Sequence, residues 1–272
     1  MNIGKTIRLR RIFSHPSGRI CSVAVDHFIG YGPLTPDGGL ADLPKALEQI
    51  AAGNPSAVTM SKGTAMNCWA PHAGRIPLIV QAGCFTADDR VIECVTDPAE
   101  CVRLGADAIA IAIGIFGPNE GRFLQMLMDT VKKASEFDLP VIAHIYPRDF
   151  SGARPRIVCD AESILWAARV GIEAGVDVIK VGYTGGVASY RKVVERSPVP
   201  VVAAGGPKAA NLREALRLMS EVVASGARGA TIGRNVWGVK ATTAALRAFN
   251  RVILDGAPVD DALRAEHLTG AE

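Results

Sequence analysis

The chain has 272 residues, 49% of them hydrophobic and only 6% aromatic, with a net charge of +3. That length suits one α/β barrel, and abundant Ala, Val, Ile and Gly with few aromatics favours parallel strands under helices over a β-sandwich. No polybasic run and no basic stretch interleaved with aromatics is present, which argues against a nucleic-acid partner, and no segment approaches the ~18 uninterrupted apolar residues of a membrane span.

Residues 1–18 read as a short basic helix over Lys5 to Ile12 and a turn at Pro16-Ser17-Gly18. Ile7, Leu9 and Ile12 alternate with Arg8, Arg10 and Arg11, the pattern of a lid on one end of a barrel. The arginines would form a solvated face or an interface. From there one pattern repeats: a short apolar run, a turn, a helix-favouring segment. The runs are Ile20–His27, Ala57–Met60, Pro77–Gly83, Ala108–Ile113, Pro140–Tyr146, Val178–Tyr183, Val199–Gly206 and Gly229–Arg234. Glycines close the helices that precede several of them, at Gly105-Ala-Asp107, Gly175-Val-Asp177 and Gly226-Ala-Arg228. Strand-helix alternation at this spacing means parallel strands, and eight units point to a closed (β/α)8 barrel. An open doubly wound sheet is the alternative, but the G-x-G-x-x-G after the first strand is absent. The expectation is one domain over 1–272, with 1–18 as a lid and 238–272 as C-terminal helices.

The six cysteines, Cys21, Cys68, Cys84, Cys94, Cys101 and Cys159, make no C-x-x-C pair, and no histidine cluster has zinc spacing. They read as reduced core thiols of a cytoplasmic protein, with no metal and no cofactor implied. The charged N-terminus lacks an apolar signal region.

In a barrel of this kind the active site lies at the C-terminal ends of the strands. Lys180 stands out because it sits inside the apolar run Val178–Tyr183, and lysine is seldom buried without a reason. It either carries chemistry or pairs with a barrel carboxylate such as Asp26. At an ordinary pKa of about 10.4, roughly one lysine in a few thousand is neutral at pH 7, and burial among apolar groups raises that fraction. A neutral lysine attacks a carbonyl to form a Schiff base. Strand alternation puts Val178 and Gly182 on the face of Lys180, and Ile179 and Val181 against the helices. The glycine would leave room for substrate.

Asp26 ends the first run and could orient Lys180 and shuttle protons, or simply cap the next turn. His27 has the opposite parity and reads as structural. His144 and Tyr146 share a face of the fifth run. Tyr146 could move a proton at a carbon–carbon bond, or simply pack with its hydroxyl in water, and His144 could bind a substrate hydroxyl or tune Tyr146. Arg148 and the loop 149–156, with Arg154 and Arg156, could cover an anionic substrate, or the loop could be merely solvated. Lys62, just past the second run, is a weaker rival to Lys180 and better suited to a phosphate or carboxylate contact, or to the surface. Gly205-Gly206 and Gly233-Arg234, after the seventh and eighth runs, have the form of a phosphate cradle built from backbone N–H groups.

These residues carry a resemblance. Ile7-Arg-Leu-Arg-Arg-Ile-Phe13, Asp26-His27 with Gly32-Pro33, Tyr146-Pro147-Arg148, Asp177-Val-Ile-Lys180 with Tyr183-Thr-Gly185, Ala204-Gly-Gly-Pro-Lys208, and Gly226-Ala-Arg-Gly229 with Gly233-Arg-Asn-Val-Trp237 occur in one order from residue 7 to 237. The chain resembles the archaeal-type class I aldolases, which include fructose-bisphosphate aldolases and 2-amino-3,7-dideoxy-threo-hept-6-ulosonate synthases. The resemblance implies a (β/α)8 barrel with Lys180 as Schiff-base lysine, Tyr146 as proton-transfer residue and Asp26 as its acid/base partner. It also implies a substrate phosphate on Gly205, Gly206, Gly233 and Arg234, and a ring-like homo-oligomer, commonly a decamer. Three positions depart from the pattern: His144 where fructose-bisphosphate aldolases tend to carry Trp, and Phe28 and Asp149 where Gly is usual. They leave the lysine chemistry intact and the substrate open. The expected activity is a metal-independent aldolase or transaldolase acting on a phosphorylated ketose-like substrate. The alternatives are a thiolase-like acyl transferase on a phosphorylated diketone and a barrel that only binds a phosphorylated metabolite.

Overall fold

The apolar runs become strands and the segments between them become helices. In a computed structural model, which describes residues 2–31 and 39–272, eight parallel strands close on themselves. They are β1 (Ile20–Ala24), β2 (Ala57–Ser61), β3 (Leu78–Phe85), β4 (Ala108–Ile115), β5 (Val141–Asp149), β6 (Val178–Val181), β7 (Val201–Ala204) and β8 (Gly229–Ile232). β8 pairs with β1 in parallel through Ile20↔Gly229 and Ser22↔Thr231, which shuts the barrel. An open sheet is thereby excluded. The Gly32-Pro33 pair lies outside the described residues.

Local signals set the helix limits. The helix Ala161–Ala174 starts where Asp160 accepts from the Ser163 N–H and stops at Gly175, φ +79°. Its buried stripe, Ile164, Ala167, Ala168, Gly171 and Ala174, faces the sheet. A Cβ on Gly171 would come within 2.8 Å of Ile179, so the missing side chain sets how closely helix and β6 approach.

Inside the barrel the lower core is apolar: Ile20, Ala57, Ile79, Ala108, Ala110, Ile142, Val178 and Val202 form one cluster. The N-terminal helix, Ile3–Ile12, closes it from below, with Ile12 fully buried and Leu9 and Phe13 packed on it. Burying a side chain such as Ile12 is worth about 1.5–3 kcal/mol. The basic residues of that helix are not merely a solvated face. Lys5 pairs with Asp177 at 2.9 Å, Arg11 with Asp107 at 3.2 Å, and Arg8 donates to the Asp138 carbonyl at 3.1 Å. The aspartates of the Gly-x-Asp turns therefore anchor the helix to the starts of β4 and β6.

Two expectations change. The loop 149–156 is drawn into a short antiparallel pairing of Arg148–Asp149 with Arg156–Ile157, and Arg156 pairs with Asp149 at 2.6 Å. β5 is therefore longer than its apolar run. Only Cys21 and Cys101 of the six thiols are buried, and Cys94 is exposed. No helix among the described residues is long and apolar enough to cross a membrane.

Candidate active site

Strand alternation continues upward from the lower core and turns polar. Above Val178 on β6 comes Lys180; above Ile142 on β5 come His144 and Tyr146; above Ile79 on β3 comes Gln81; and β1 and β8 add Ser22 and Thr231, hydrogen-bonded at 2.7 Å. Ile179 and Val181 pack outward with the helices, as the parity of the run required. In a staggered barrel the inward side chains of alternate strands share a layer. The register puts Lys180 level with Thr59, Ala110 and Thr231, and puts Ala24, Gln81, His144 and Ala204 in the layer above. Asp26 and Tyr146 stand one step higher, at the mouth.

Lys180 is 5% exposed and is the one buried lysine among the described residues. Burial lowers its pKa to about 8, and the nearby Asp26 charge opposes part of that fall. At pH 7 about a tenth of such amines are neutral, a gain of several hundredfold over a free lysine. His144 lies beside it, Cα-paired in the β5–β6 ladder. Its imidazole is buried and held well below its ordinary pKa, first by desolvation, then by the charge of Lys180 and by His27. His27 is lowered too, by burial, with Asp26 working the other way and Lys180 and Arg234 reinforcing it. Both rings are therefore neutral at pH 7.

His27 was expected to be structural, yet it sits at the mouth. Its Nδ1 lies 3.7 Å from Asp26 and its ring meets Trp237 edge-on at 5.3 Å. It opens a short helix, His27–Tyr31, so parity along β1 no longer applies to it. A histidine next to an aspartate at a barrel strand end was the available signal.

Three expected features are placed differently. Arg148 does not face an open mouth. Its guanidinium is 2% exposed, pairs with Asp89 at 3.4 Å and lies 4.5 Å from the centre of the Phe85 ring. Phe85 meets Tyr146 edge-on at 5.5 Å. The charge of Arg148 is thus committed to a buried partner, and its guanidinium stacks on the Phe85 ring that packs against Tyr146. Lys62 opens the helix Lys62–Cys68 and binds Glu100 at 2.7 Å, an ion pair whose hydrogen bond, with that from Thr96, pulls the Glu100 carboxyl down to about 2. Gly182 does not leave room beside Lys180. β6 has ended at Val181, and a Cβ on Gly182 would overlap the Cys159 Sγ behind the strand.

The glycine loops do meet. Arg234 Nη2 donates to the Gly206 carbonyl at 3.1 Å. Asn235, buried, donates to the Gly205 and Pro207 carbonyls at 3.0 Å each and accepts from the Ala209 N–H. Gly206 has φ +68° and open space where a side chain would be. A Cβ on Gly233 would lie 2.7 Å from the His27 ring, so the loop after β8 approaches the mouth closely only because Cβ is missing. Asn235, which holds the loops together, was quoted in the sequence motif but given no role.

A closed barrel whose one buried lysine shares the polar, C-terminal end of the strands with His144, Tyr146 and Asp26 has the constitution of a Schiff-base, class I aldolase. Residues 20–238 match the DeoC/LacD family of aldolases, and the chain belongs to that family. It is 31% identical to a 2-amino-3,7-dideoxy-D-threo-hept-6-ulosonate synthase of Halobacterium salinarum, over 96% of this chain and 95% of the relative. It is 28% identical to a 2-amino-4,5-dihydroxy-6-oxo-7-(phosphonooxy)heptanoate synthase of Streptomyces griseus, over 86% and 84%. An archaeal fructose-1,6-bisphosphate aldolase, solved with its catalytic lysine covalently bound to the carbinolamine intermediate of the substrate, matches with a TM-score of 0.81 and 27% identity, covering 92% of this chain and 99% of that one. The protein is an aldolase, a lyase, and the reading as a non-catalytic binder falls away.

Proposed function

We propose that Lys180 forms a Schiff base with a ketone donor, and that the enzyme makes or breaks the bond between that donor and an aldehyde, without a metal. The observation that carries this reading is the burial of Lys180 on the inward face of β6, with a pKa of about 8, beneath Asp26 and Tyr146. The neutral amine adds to the ketone carbon and gives a carbinolamine. Loss of water, with Asp26 moving the protons, gives an iminium. In cleavage, Tyr146 takes the proton of the hydroxyl on the far carbon of the bond that breaks, the carbon that becomes the aldehyde. The aldehyde leaves, and the bonding electrons pass into the iminium as an enamine. Protonation of the enamine, then hydrolysis, frees the ketone and Lys180. In synthesis the enamine attacks the aldehyde instead and Tyr146 returns its proton. The neutral rings of His27 and His144 add no positive charge to the iminium, and neutral His144 retains one donor and one acceptor for substrate.

Relatives bear on the donor. Fructose 1,6-bisphosphate and the Streptomyces griseus product both carry a ketone beside a phosphorylated carbon, with a hydroxyl on the other neighbour, where the bond is made. The Halobacterium salinarum product keeps that ketone and hydroxyl but ends in a 7-deoxy carbon. The donor proposed for this chain is a phosphorylated hydroxyketone, its phosphate on Gly206, Gly233 and Arg234; Gly205, expected in the cradle, has its N–H taken by the Thr231 carbonyl at 2.8 Å and only shapes the loop. Backbone N–H groups and the Arg234 charge suit that anion.

Borohydride reduction in the presence of dihydroxyacetone phosphate tests the reading. The expected result is irreversible inactivation with the mass adduct on Lys180, undiminished by EDTA and abolished in Lys180→Met. An adduct on Lys62, or none, refutes it. Formation of an acyl-CoA from a phosphorylated diketone and CoA would favour acyl transfer instead.

A further inference from the structure

Gln81 is a buried polar side chain that the chemistry above leaves unused. It lies on the inward face of β3, two residues above Ile79 of the lower core, and is 5% exposed. Its Nε2 donates to the Gly83 carbonyl at 2.6 Å. That bond fixes which way the amide points, because only its NH2 end can donate to a carbonyl. The Oε1 end is then left buried with no hydrogen-bond partner among the described residues. An orphaned buried acceptor destabilises a fold, so a glutamine here calls for a donor that arrives with a ligand. The β3–β4 ladder also shifts register between Gln81 and Gly83, an irregularity of the kind that re-aims side chains beside active sites.

The position in the barrel says which part of a ligand would meet it. Gln81 and His144 share the layer directly above Lys180. β3 stands across the barrel from β7, whose loop carries Gly205 and Gly206. A ketone joined to Lys180 with its phosphorylated arm toward β7 and β8 turns its other arm toward β3 and β5. That other arm begins with the carbon that forms the new bond. In all three relatives' compounds named above it bears a hydroxyl.

Resting on the Schiff-base reading, we propose that Gln81 Oε1 accepts a hydrogen bond from the hydroxyl on the donor's bond-forming carbon, and thereby selects hydroxylated over deoxy ketone donors. A site that leaves a buried polar group unpaired rejects the analogue lacking the matching hydroxyl far more strongly than an apolar site does.

The test uses the whole enzyme and two probes that differ only in that hydroxyl: dihydroxyacetone phosphate and acetonyl phosphate. The readout is the ratio of their efficiencies (rate over half-saturation concentration) in borohydride trapping at Lys180, followed by mass spectrometry. The wild-type chain should favour the hydroxylated donor by about tenfold or more. Gln81→Met, similar in volume but without the acceptor, should bring the ratio close to one. Gln81→Glu, which keeps an acceptor oxygen, should retain most of the preference, and it decides the matter if the Met variant does not fold. A wild-type ratio near one, an unchanged ratio in Gln81→Met, or loss of the ratio in Gln81→Glu overturns the assignment. If neither ketone labels Lys180 in the wild-type chain, the Schiff-base reading itself has failed; labelling without selection removes only the role of Gln81.

Discussion

Burial lowers the pKa of Lys180, as the proposed nucleophile requires, and takes the same free energy from the fold. Its pKa is about 8 in the native chain against an ordinary 10.5. Between these values the unfolded chain binds a proton that the native chain does not, so this group makes stability rise with pH across that window. Below pH 8 both states hold the proton and the native state carries the whole desolvation cost, on the order of 3 kcal/mol. Lys180→Met should therefore be more stable than the wild type below pH 8. The gain should shrink between pH 8 and 10.5 and level off above, as read from urea midpoints at matched pH. A gain that does not vary with pH would trace to methionine packing instead. The same burial was legible in the sequence, since a lone lysine in Val178–Tyr183 has nowhere polar to go. The state of His144 was not, because it depends first on the burial that barrel closure gives it and then on the charge of Lys180 on another strand.

At the scale of an element, a strand's alternation holds only while the strand lasts. Val178 and Lys180 face inward, Ile179 and Val181 outward, and the pattern fails at Gly182 because β6 ends at Val181. Gly182→Ala should cost about 1–3 kcal/mol through its overlap with Cys159, and Cys159→Ala in the same chain should restore most of it. A double-mutant cycle by thermal unfolding reads the coupling; additive effects would place Gly182 elsewhere. The same limit on alternation explains His27, which follows the last residue that parity can assign. It also explains Arg148, whose strand bends into an antiparallel pairing and carries the guanidinium to Asp89. Asp89 is close in space but 59 positions away in sequence, and nothing local signals it.

Over the whole molecule the barrel is divided along its axis. The lower half is apolar and plugged by Ile3–Ile12; the upper half is polar and holds Lys180. Stability and chemistry can then vary separately. Ile12→Ala should destabilise the fold by about 2–5 kcal/mol, because a fully buried side chain at the closed end leaves a cavity. It should leave the half-saturation concentration for dihydroxyacetone phosphate in trapping within about twofold. A larger change would mean that the plug and the mouth are coupled. The charge pairs of that helix point the same way, since Lys5 and Arg11 find their aspartates at the starts of the strands and not at their C-terminal ends, where Lys180 lies.

The sequence by itself determined the eight parallel strands, the glycine stops of the helices and the burial of Lys180 in an apolar run. Each of these follows from periodicity, chain stiffness or the cost of burying charge, and all of those act locally. Only the tertiary structure decided which polar groups meet. It brought His27 beside Asp26, withdrew Arg148 and Lys62 into ion pairs, filled the space at Gly182 with Cys159, and left Gln81 Oε1 without a donor. Those outcomes depend on register and closure, which place residues from distant strands in one layer.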